Sequence, residues 1–260
     1  MAIIISMLSL VASAQSNKNK KIVGEEIAYT SNGITLKGYV AYDANQKGKR
    51  PAIVIVPEWW GNNDYAKMRA RMLAELGYIA LAADYYGDGK IADNPQQAQE
   101  YATPFYKDPN LGMARMEAAV NKLKEYTATN PTKMAAIGYC FGGSMVLNAA
   151  KMGVGFKGVV SFHGGLATVP AVKGVVKGKI LVCHGAADQF VPATDVANFK
   201  NNLDTTGVVY TFISYKDATH AFTNPAATEN GKKFKLPIAY NKAADKKSWA
   251  DMIAFFKTIF

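Results

Sequence analysis

A cysteine set between glycines follows a short apolar run in the middle of the chain. Residues 134–144 read Met-Ala-Ala-Ile-Gly-Tyr-Cys-Phe-Gly-Gly-Ser, which is a Gly-x-Ser-x-Gly nucleophile elbow with Cys140 in the serine place. In such a strained strand-to-helix turn, a Cβ atom at Gly138 or Gly142 would collide with neighbouring backbone. The N-terminus of the following helix favours a thiolate and a nearby oxyanion. The alternative is an ordinary glycine-rich turn with a packed cysteine, and the rest of the chain decides between them.

Three further polar side chains stand just after predicted strands: Glu58, Asp188 and His220. Because active residues of open α/β sheets gather at the carboxyl ends of strands, we expect them near Cys140. The order nucleophile, acid, base is that of the α/β-hydrolase triad. His220 would accept the proton of the Cys140 thiol, or hold it in an ion pair, and Asp188 would fix the imidazole tautomer.

Two backbone amides belong to this predicted site, and three other polar side chains are alternatives to its acid and its base. The amides of Trp59 and Phe141 are placed to form an oxyanion hole. Asp217 is an alternative acid, although Asp188 fits the chain order better. His163 and His184 also end strands, and each precedes a glycine, which fits a strand-end hydrogen-bonding role. The sequence therefore predicts Cys140, Asp188 and His220 as the catalytic set.

Apolar runs and amphipathic segments alternate over nearly the whole chain. Strands are predicted near residues 25–30, 34–42, 52–56, 78–83, 134–139, 158–162, 179–183 and 208–215. Helices are predicted near residues 64–76, 95–106, 111–127, 143–152, 194–203 and 242–260. This pattern predicts an α/β fold with a mostly parallel sheet, opened by an antiparallel hairpin at residues 31–33 and covered by helices on both faces.

Composition narrows the class of protein. The 260 residues are 49% apolar, which suits one globular domain. Lys and Arg total 30 against 20 for Asp and Glu, but no Arg-rich helix, zinc-finger or RNA-binding signature accompanies this excess, so nucleic-acid binding is not expected. No metal-ligand cluster or phosphate-binding loop is present, and we expect neither a metal nor a cofactor. The oligomeric state is not predicted.

The N-terminus resembles an export signal. Residues 1–11 are mostly apolar, and the small residues of Ala12-Ser13-Ala14 precede Gln15 at the spacing that signal peptidase accepts, although no basic residue comes first. The apolar run is too short to span a bilayer. We expect a signal peptide at residues 1–14, cleavage between Ala14 and Gln15, a flexible segment at residues 15–24 and the folded domain at residues 25–260, exported to the periplasm or secreted.

The two cysteines are expected to be free thiols. An oxidising compartment favours a disulfide, and the partners would be Cys140 and Cys183. Cys140 stands on the elbow, however, whereas Cys183 lies inside a predicted strand, so their side chains need not meet. Cys140 is predicted to be reactive and Cys183 to be inert packing.

Four separate motifs give the chain a resemblance to a known family. Residues 57–61 (Pro-Glu-Trp-Trp-Gly), 138–143 (Gly-Tyr-Cys-Phe-Gly-Gly), 184–188 (His-Gly-Ala-Ala-Asp) and 218–222 (Ala-Thr-His-Ala-Phe) resemble the dienelactone hydrolase, or carboxymethylenebutenolidase, family. The resemblance covers roughly residues 25–260 and implies the α/β-hydrolase fold, a small ester or lactone as substrate, and Cys140, Asp188 and His220 as the triad. It also implies that Glu58 hydrogen-bonds the resting thiol and releases it to His220.

The resemblance breaks at the substrate site. The family carries an arginine for the substrate carboxylate soon after the strand that ends at Asp84, and residues 84–90 contain none. Lys90 would replace this arginine as a point charge for the carboxylate, although Asp88 close to it would repel a carboxylate. Predicted substrate contacts are Trp60, Tyr85, Tyr86 and Lys90. Residues 223–240 form either a rim over the pocket or a plain loop.

Two other classes of function stay open. One is a binding protein that keeps the fold without hydrolysis, which a ligand that binds without acylating Cys140 would indicate. The other is a thiol redox protein that uses Cys140 and Cys183. A mass spectrum of the oxidised chain with both thiols free would exclude the redox protein.

Overall fold

The computed structural model of the protein describes residues 20–260, so the predicted export signal lies outside the described residues. The strands are β1 (Ile22–Ser31), β2 (Ile34–Asp43), β3 (Arg50–Val56), β4 (Ile79–Ala82), β5 (Thr129–Tyr139), β6 (Gly158–Phe162), β7 (Lys179–Gly185) and β8 (Tyr210–Tyr215). The helices are α1 (Asp64–Glu75), α2 (Pro95–Lys107), α3 (Pro109–Lys124), α4 (Phe141–Lys151), α5 (Ala193–Thr206), α6 (Ala227–Phe234) and α7 (Lys242–Phe256).

The eight strands form one sheet in the order β1-β2-β4-β3-β5-β6-β7-β8. The β1–β2 and β2–β4 pairs are antiparallel and the other pairs are parallel. Asn32 and Gly33 connect the hairpin with φ of 50° and 76°, the left-handed geometry that a two-residue hairpin turn requires. The predicted mostly parallel sheet with an antiparallel hairpin is therefore confirmed.

The central strands of the sheet are buried on both faces, and alternate residues of one strand enter different cores. Val54 and Val56 of β3 pack into a core shared with α2, α3, α4 and α5. Ile53 and Ile55 pack into a core shared with α1 and α7 on the opposite face. Successive strand side chains point to opposite faces, so a strand covered on both sides is apolar throughout. Helices lie on both faces, as predicted.

Several boundaries differ from the sequence prediction, among them the start of β5 at Thr129 rather than near residue 134. The first strand begins at Ile22 rather than at Glu25. Residues 223–240 are not a plain loop, because they contain α6, whose buried positions are only Ala227 and Gly231. The buried face consists of these two small residues, and the Asn-Gly pair at residues 230–231 is typical of a turn, so the sequence favours a loop there. Within residues 20–260, no helix is long and apolar enough to cross a membrane.

Candidate active site

Cys140 sits on a strained turn between β5 and α4. Its φ of 52° and ψ of −115° lie where residues other than glycine are rarely found. A Cβ atom at Gly138 would be 2.0 Å from the carbonyl oxygen of Gly142, and one at Gly142 would be 2.1 Å from that of Val56. Both glycines are therefore required by close backbone approach, as predicted. The turn exposes the Cys140 side chain at the carboxyl edge of the sheet.

His163, directly after β6, holds the backbone of the elbow. Its Nδ1 accepts a hydrogen bond from the Cys140 amide at 3.1 Å, and the same amide also reaches the Phe162 carbonyl at 3.0 Å. Nε2 lies 2.7 Å from Thr223 Oγ1. Burial lowers the pKa of His163 well below its usual range, so the ring is neutral. An accepting Nδ1 places the single proton on Nε2, which donates to Thr223. The sequence indicated a strand-end role for His163 but not its partner.

The structure brings Asp188 and His220 together. His220 Nδ1 lies 2.8 Å from Asp188 Oδ2, and Asp188 Oδ1 accepts a hydrogen bond from the Phe190 amide at 2.9 Å. Burial lowers the pKa of His220, but its interactions with Cys140 and Asp188 outweigh burial and raise it to about 10. Asp217 is exposed in a left-handed turn and takes no part in this pair. The geometry thus favours Asp188 over Asp217 as the partner of the imidazole.

Glu58 is buried beside these groups, but it does not hold the thiol in this structure. Its Oε2 accepts a hydrogen bond from Asn224 Nδ2 at 2.6 Å. Its Oε1 is buried without a partner among the described residues. Burial raises the pKa of Glu58 to about 7 although the Asn224 hydrogen bond opposes it. Asn224 was missed by the sequence reasoning, because nothing local links it to a residue so distant in the chain.

The two amides proposed for an oxyanion hole flank Cys140. Phe141 is the first residue of α4, where a backbone N–H has no partner within the helix. In the part of the chain that the structure describes, neither the Phe141 amide nor the Trp59 amide donates to a protein acceptor. The Trp59 peptide is fixed by the Tyr86 hydroxyl, which donates to the Trp59 carbonyl at 2.9 Å. Both donors are therefore available to a ligand oxygen.

Cys140, His220 and Glu58 open into one cavity of about 230 Å³. Trp60 lines it, as the sequence predicted. The other lining side chains are mainly apolar or aromatic: Trp59, Tyr106, Phe141, Phe190, Val191, Ala221, Leu236 and Ile238, with Gln99 at the rim. Sequence reasoning missed Tyr106 and Phe190, since an aromatic residue in a helix or loop has no local mark of facing a cavity.

The other three predicted substrate contacts lie outside the cavity lining. Tyr85 is buried in the core against Phe105 and Phe141. Tyr86 also packs in that core and uses its hydroxyl on backbone. Lys90 lies over the ring of Tyr101, 6.0 Å from its centroid. These corrections share one cause, because an aromatic or basic residue after a strand can turn to the core or to solvent as readily as to the site.

The remaining titratable groups near the sheet edge are structural. Both cysteines are free thiols, as predicted. Cys183 is buried in β7, where burial raises its pKa to about 12, and its sulfur accepts from the Tyr215 hydroxyl at 3.5 Å. His184 packs on the ring of Phe212, and burial lowers its pKa. No cluster of three or more His, Cys, Asp or Glu residues within residues 20–260 is arranged to hold a metal ion.

The chain is similar to known proteins in sequence and in fold. The sequence profile of the dienelactone hydrolase family matches residues 36–260. Protein usf of Aquifex pyrophilus is 28% identical over 244 residues, which cover 90% of this chain and 98% of that protein. Carboxymethylenebutenolidase of Pseudomonas putida is 30% identical over 158 residues, or 56% of this chain and 64% of that enzyme. A dienelactone hydrolase-like promiscuous phosphotriesterase from metagenomic libraries is 32% identical, with a TM-score of 0.87 over 92% of this chain and 99% of that one.

Proposed function

Because the chain belongs to the dienelactone hydrolase family, whose members hydrolyse esters and lactones, we propose that it cleaves its substrate through a Cys140–His220–Asp188 triad and an acyl-enzyme. One observation carries the proposal. The Asp188–His220 pair, joined at 2.8 Å, opens into the same cavity as a cysteine on a strained elbow. A buried acid on one imidazole nitrogen leaves the other nitrogen for the thiol, which is the arrangement that nucleophilic catalysis needs.

The proposed reaction begins with transfer of the Cys140 proton to His220 Nε2. Asp188 holds the proton on Nδ1 and stabilises the imidazolium, consistent with the raised pKa of His220. The Cys140 sulfur then attacks the ester carbonyl, and the amides of Trp59 and Phe141 receive the oxyanion. The C–O bond breaks, and the leaving oxygen takes the proton from His220. Water, deprotonated by His220, then hydrolyses the thioester and frees Cys140.

Glu58 is proposed to hold the resting thiol. The Oε1 atom of Glu58 is a buried acceptor without a donor among the described residues, which costs free energy. Rotation of the Cys140 thiol would supply that donor. The Asn224 hydrogen bond keeps the carboxyl in place for this role. A thiol held in this way is less exposed to oxidation than a permanent thiolate.

The two free cysteines provide a matched test of the nucleophile. Cys140→Ala is expected to abolish turnover of 4-nitrophenyl acetate above the rate of the free ester, because the bond-forming sulfur is gone. Cys183→Ala removes the other thiol, which lies buried in β7 away from the cavity lining, and is expected to keep activity within a few-fold of the unmodified protein. Substantial turnover by a folded Cys140→Ala protein would refute the covalent mechanism.

A further inference from the structure

Apolar side chains from several separate elements form the walls of the active-site cavity. Tyr106 comes from α2, Phe190 from the loop after β7, and Leu236 and Ile238 from the chain that follows α6. Tyr106 and Phe190 are each about half exposed, at 50% and 47%. Large aromatic side chains left open to water around a concave site are typical of surfaces that bind apolar ligands.

The lining of the cavity carries few charged side chains. Within residues 20–260, the lining contains no lysine or arginine, and its one carboxyl outside the triad is Glu58. Lys107 and Lys235, which adjoin lining residues in the chain, are exposed and do not line the cavity. Arg69 is paired with Asp245 and the Thr223 carbonyl, and Lys90 lies over Tyr101.

We propose that this cavity selects an uncharged, apolar ester or lactone and discriminates against a substrate that carries a carboxylate. The inference rests on the proposed function and names the substrate class of the same site. A carboxylate that enters an apolar cavity loses its hydration, and no lysine or arginine of the lining compensates for that loss. The charge of the His220 imidazolium is already paired with Asp188. Glu58 adds like-charge repulsion whenever it is ionised. A neutral substrate of the same shape avoids both costs and gains from burial of its apolar surface.

Two rigid acetate esters of nearly equal size test this directly: methyl 4-acetoxybenzoate, which is neutral, and 4-acetoxybenzoate, which is an anion at pH 7.5. Each kcat/KM is normalised to the alkaline hydrolysis rate of the same ester. We expect the neutral ester to be favoured by about 100-fold, since burial of an uncompensated charge is costly. A ratio within threefold of one, or a preference for the anion, would overturn the inference while leaving the proposed function intact. If neither ester is cleaved and Cys140 is not acylated, the proposed function itself fails.

Leu236 offers a second test, because this half-buried residue lines the wall of the cavity. Leu236→Lys supplies the missing cation, and Leu236→Met is a control of similar size without charge. We expect Leu236→Lys to raise relative activity on the anionic ester by about tenfold over Leu236→Met, from a charge a few ångströms away. Equal ratios of anionic to neutral activity in the two folded variants would contradict a charge-based selection at this wall.

Discussion

Replacement of Asp188 by asparagine should separate the charge of the proposed triad acid from its shape. The side chain of Asp188 is fully buried, and its two oxygens accept hydrogen bonds from the His220 ring and the Phe190 amide. The asparagine side chain would keep the volume and the Phe190 contact, but its amide nitrogen would face His220 Nδ1. The imidazole would then turn Nδ1 into an acceptor and carry its proton on Nε2. A protonated neutral Nε2 cannot accept the proton of Cys140.

The size of the effect follows from the pKa of His220. Its rise from 6.5 to about 10 corresponds to roughly 5 kcal/mol of preference for the imidazolium, at about 1.4 kcal/mol per pH unit. Asp188 supplies part of this preference through its charge and its hydrogen bond, so its replacement by a neutral amide weakens the preference for the imidazolium. The wrong tautomer adds to this, and triads with an asparagine in the acid position lose about 10⁴-fold. We therefore expect kcat to fall by roughly 10²- to 10⁴-fold.

Steady-state hydrolysis of 4-nitrophenyl acetate at pH 7.5 measures the loss, with circular dichroism to show that the variant is folded. Asp217→Asn is the matched control, because Asp217 is exposed in a left-handed turn that asparagine also tolerates. It should stay within twofold of the unmodified protein. A folded Asp188→Asn protein with kcat reduced less than threefold, or a large loss in Asp217→Asn, would refute the assignment of the acid.

Three other perturbations follow from the structure and the sequence. Gly142→Ala should cost more than about 3 kcal/mol of unfolding free energy or prevent folding, because the new Cβ would lie 2.1 Å from the Val56 carbonyl oxygen. Gly155→Ala is the control, because a Cβ there has no heavy atom within 4 Å and should change the urea midpoint of unfolding little. Equal urea midpoints for the two variants would contradict this prediction. The raised pKa of Glu58 stabilises the fold below pH 4.5, and this stabilisation is lost as the pH rises through about 7. The unfolding free energy of the unmodified protein, relative to that of Glu58→Gln, should therefore fall by roughly 3 kcal/mol over this interval. A difference between the two proteins that does not change with pH would contradict the raised pKa. We also propose export, so N-terminal sequencing of the protein from a bacterial periplasm should begin at Gln15, whereas an intact N-terminus in the cytosol would contradict it.

The elbow and the Asp188–His220 pair could be predicted because their requirements are local or follow from topology. A close backbone approach admits only glycine, so Gly138 and Gly142 mark the turn around Cys140 in the sequence itself. Parallel strands carry their terminal residues to one edge of the sheet, which brings Asp188 and His220 together once the strands are recognised.

Side-chain direction could not be predicted in the same way. Tyr85 turns into the core, while Phe190 faces the cavity, and tertiary packing rather than spacing decides between these outcomes. The wall formed by Leu236 and Ile238 follows α6, a short helix whose buried positions are only a small alanine and a glycine. The hydrogen bond from Asn224 to Glu58 joins residues far apart in the chain, so no sequence signal reports it.

Covalent catalysis at Cys140 is the central claim, and the mass of the intact protein tests it most directly. The protein is mixed with 4-nitrophenyl acetate, quenched in acid at times shorter than one turnover, and digested to locate any adduct. The account predicts one acetyl group on Cys140 that forms at the rate of the nitrophenol burst and disappears as acetate is released, with Cys183 unmodified. Multiple turnovers with an unmodified Cys140 at every early time, together with a nitrophenol burst, would contradict it.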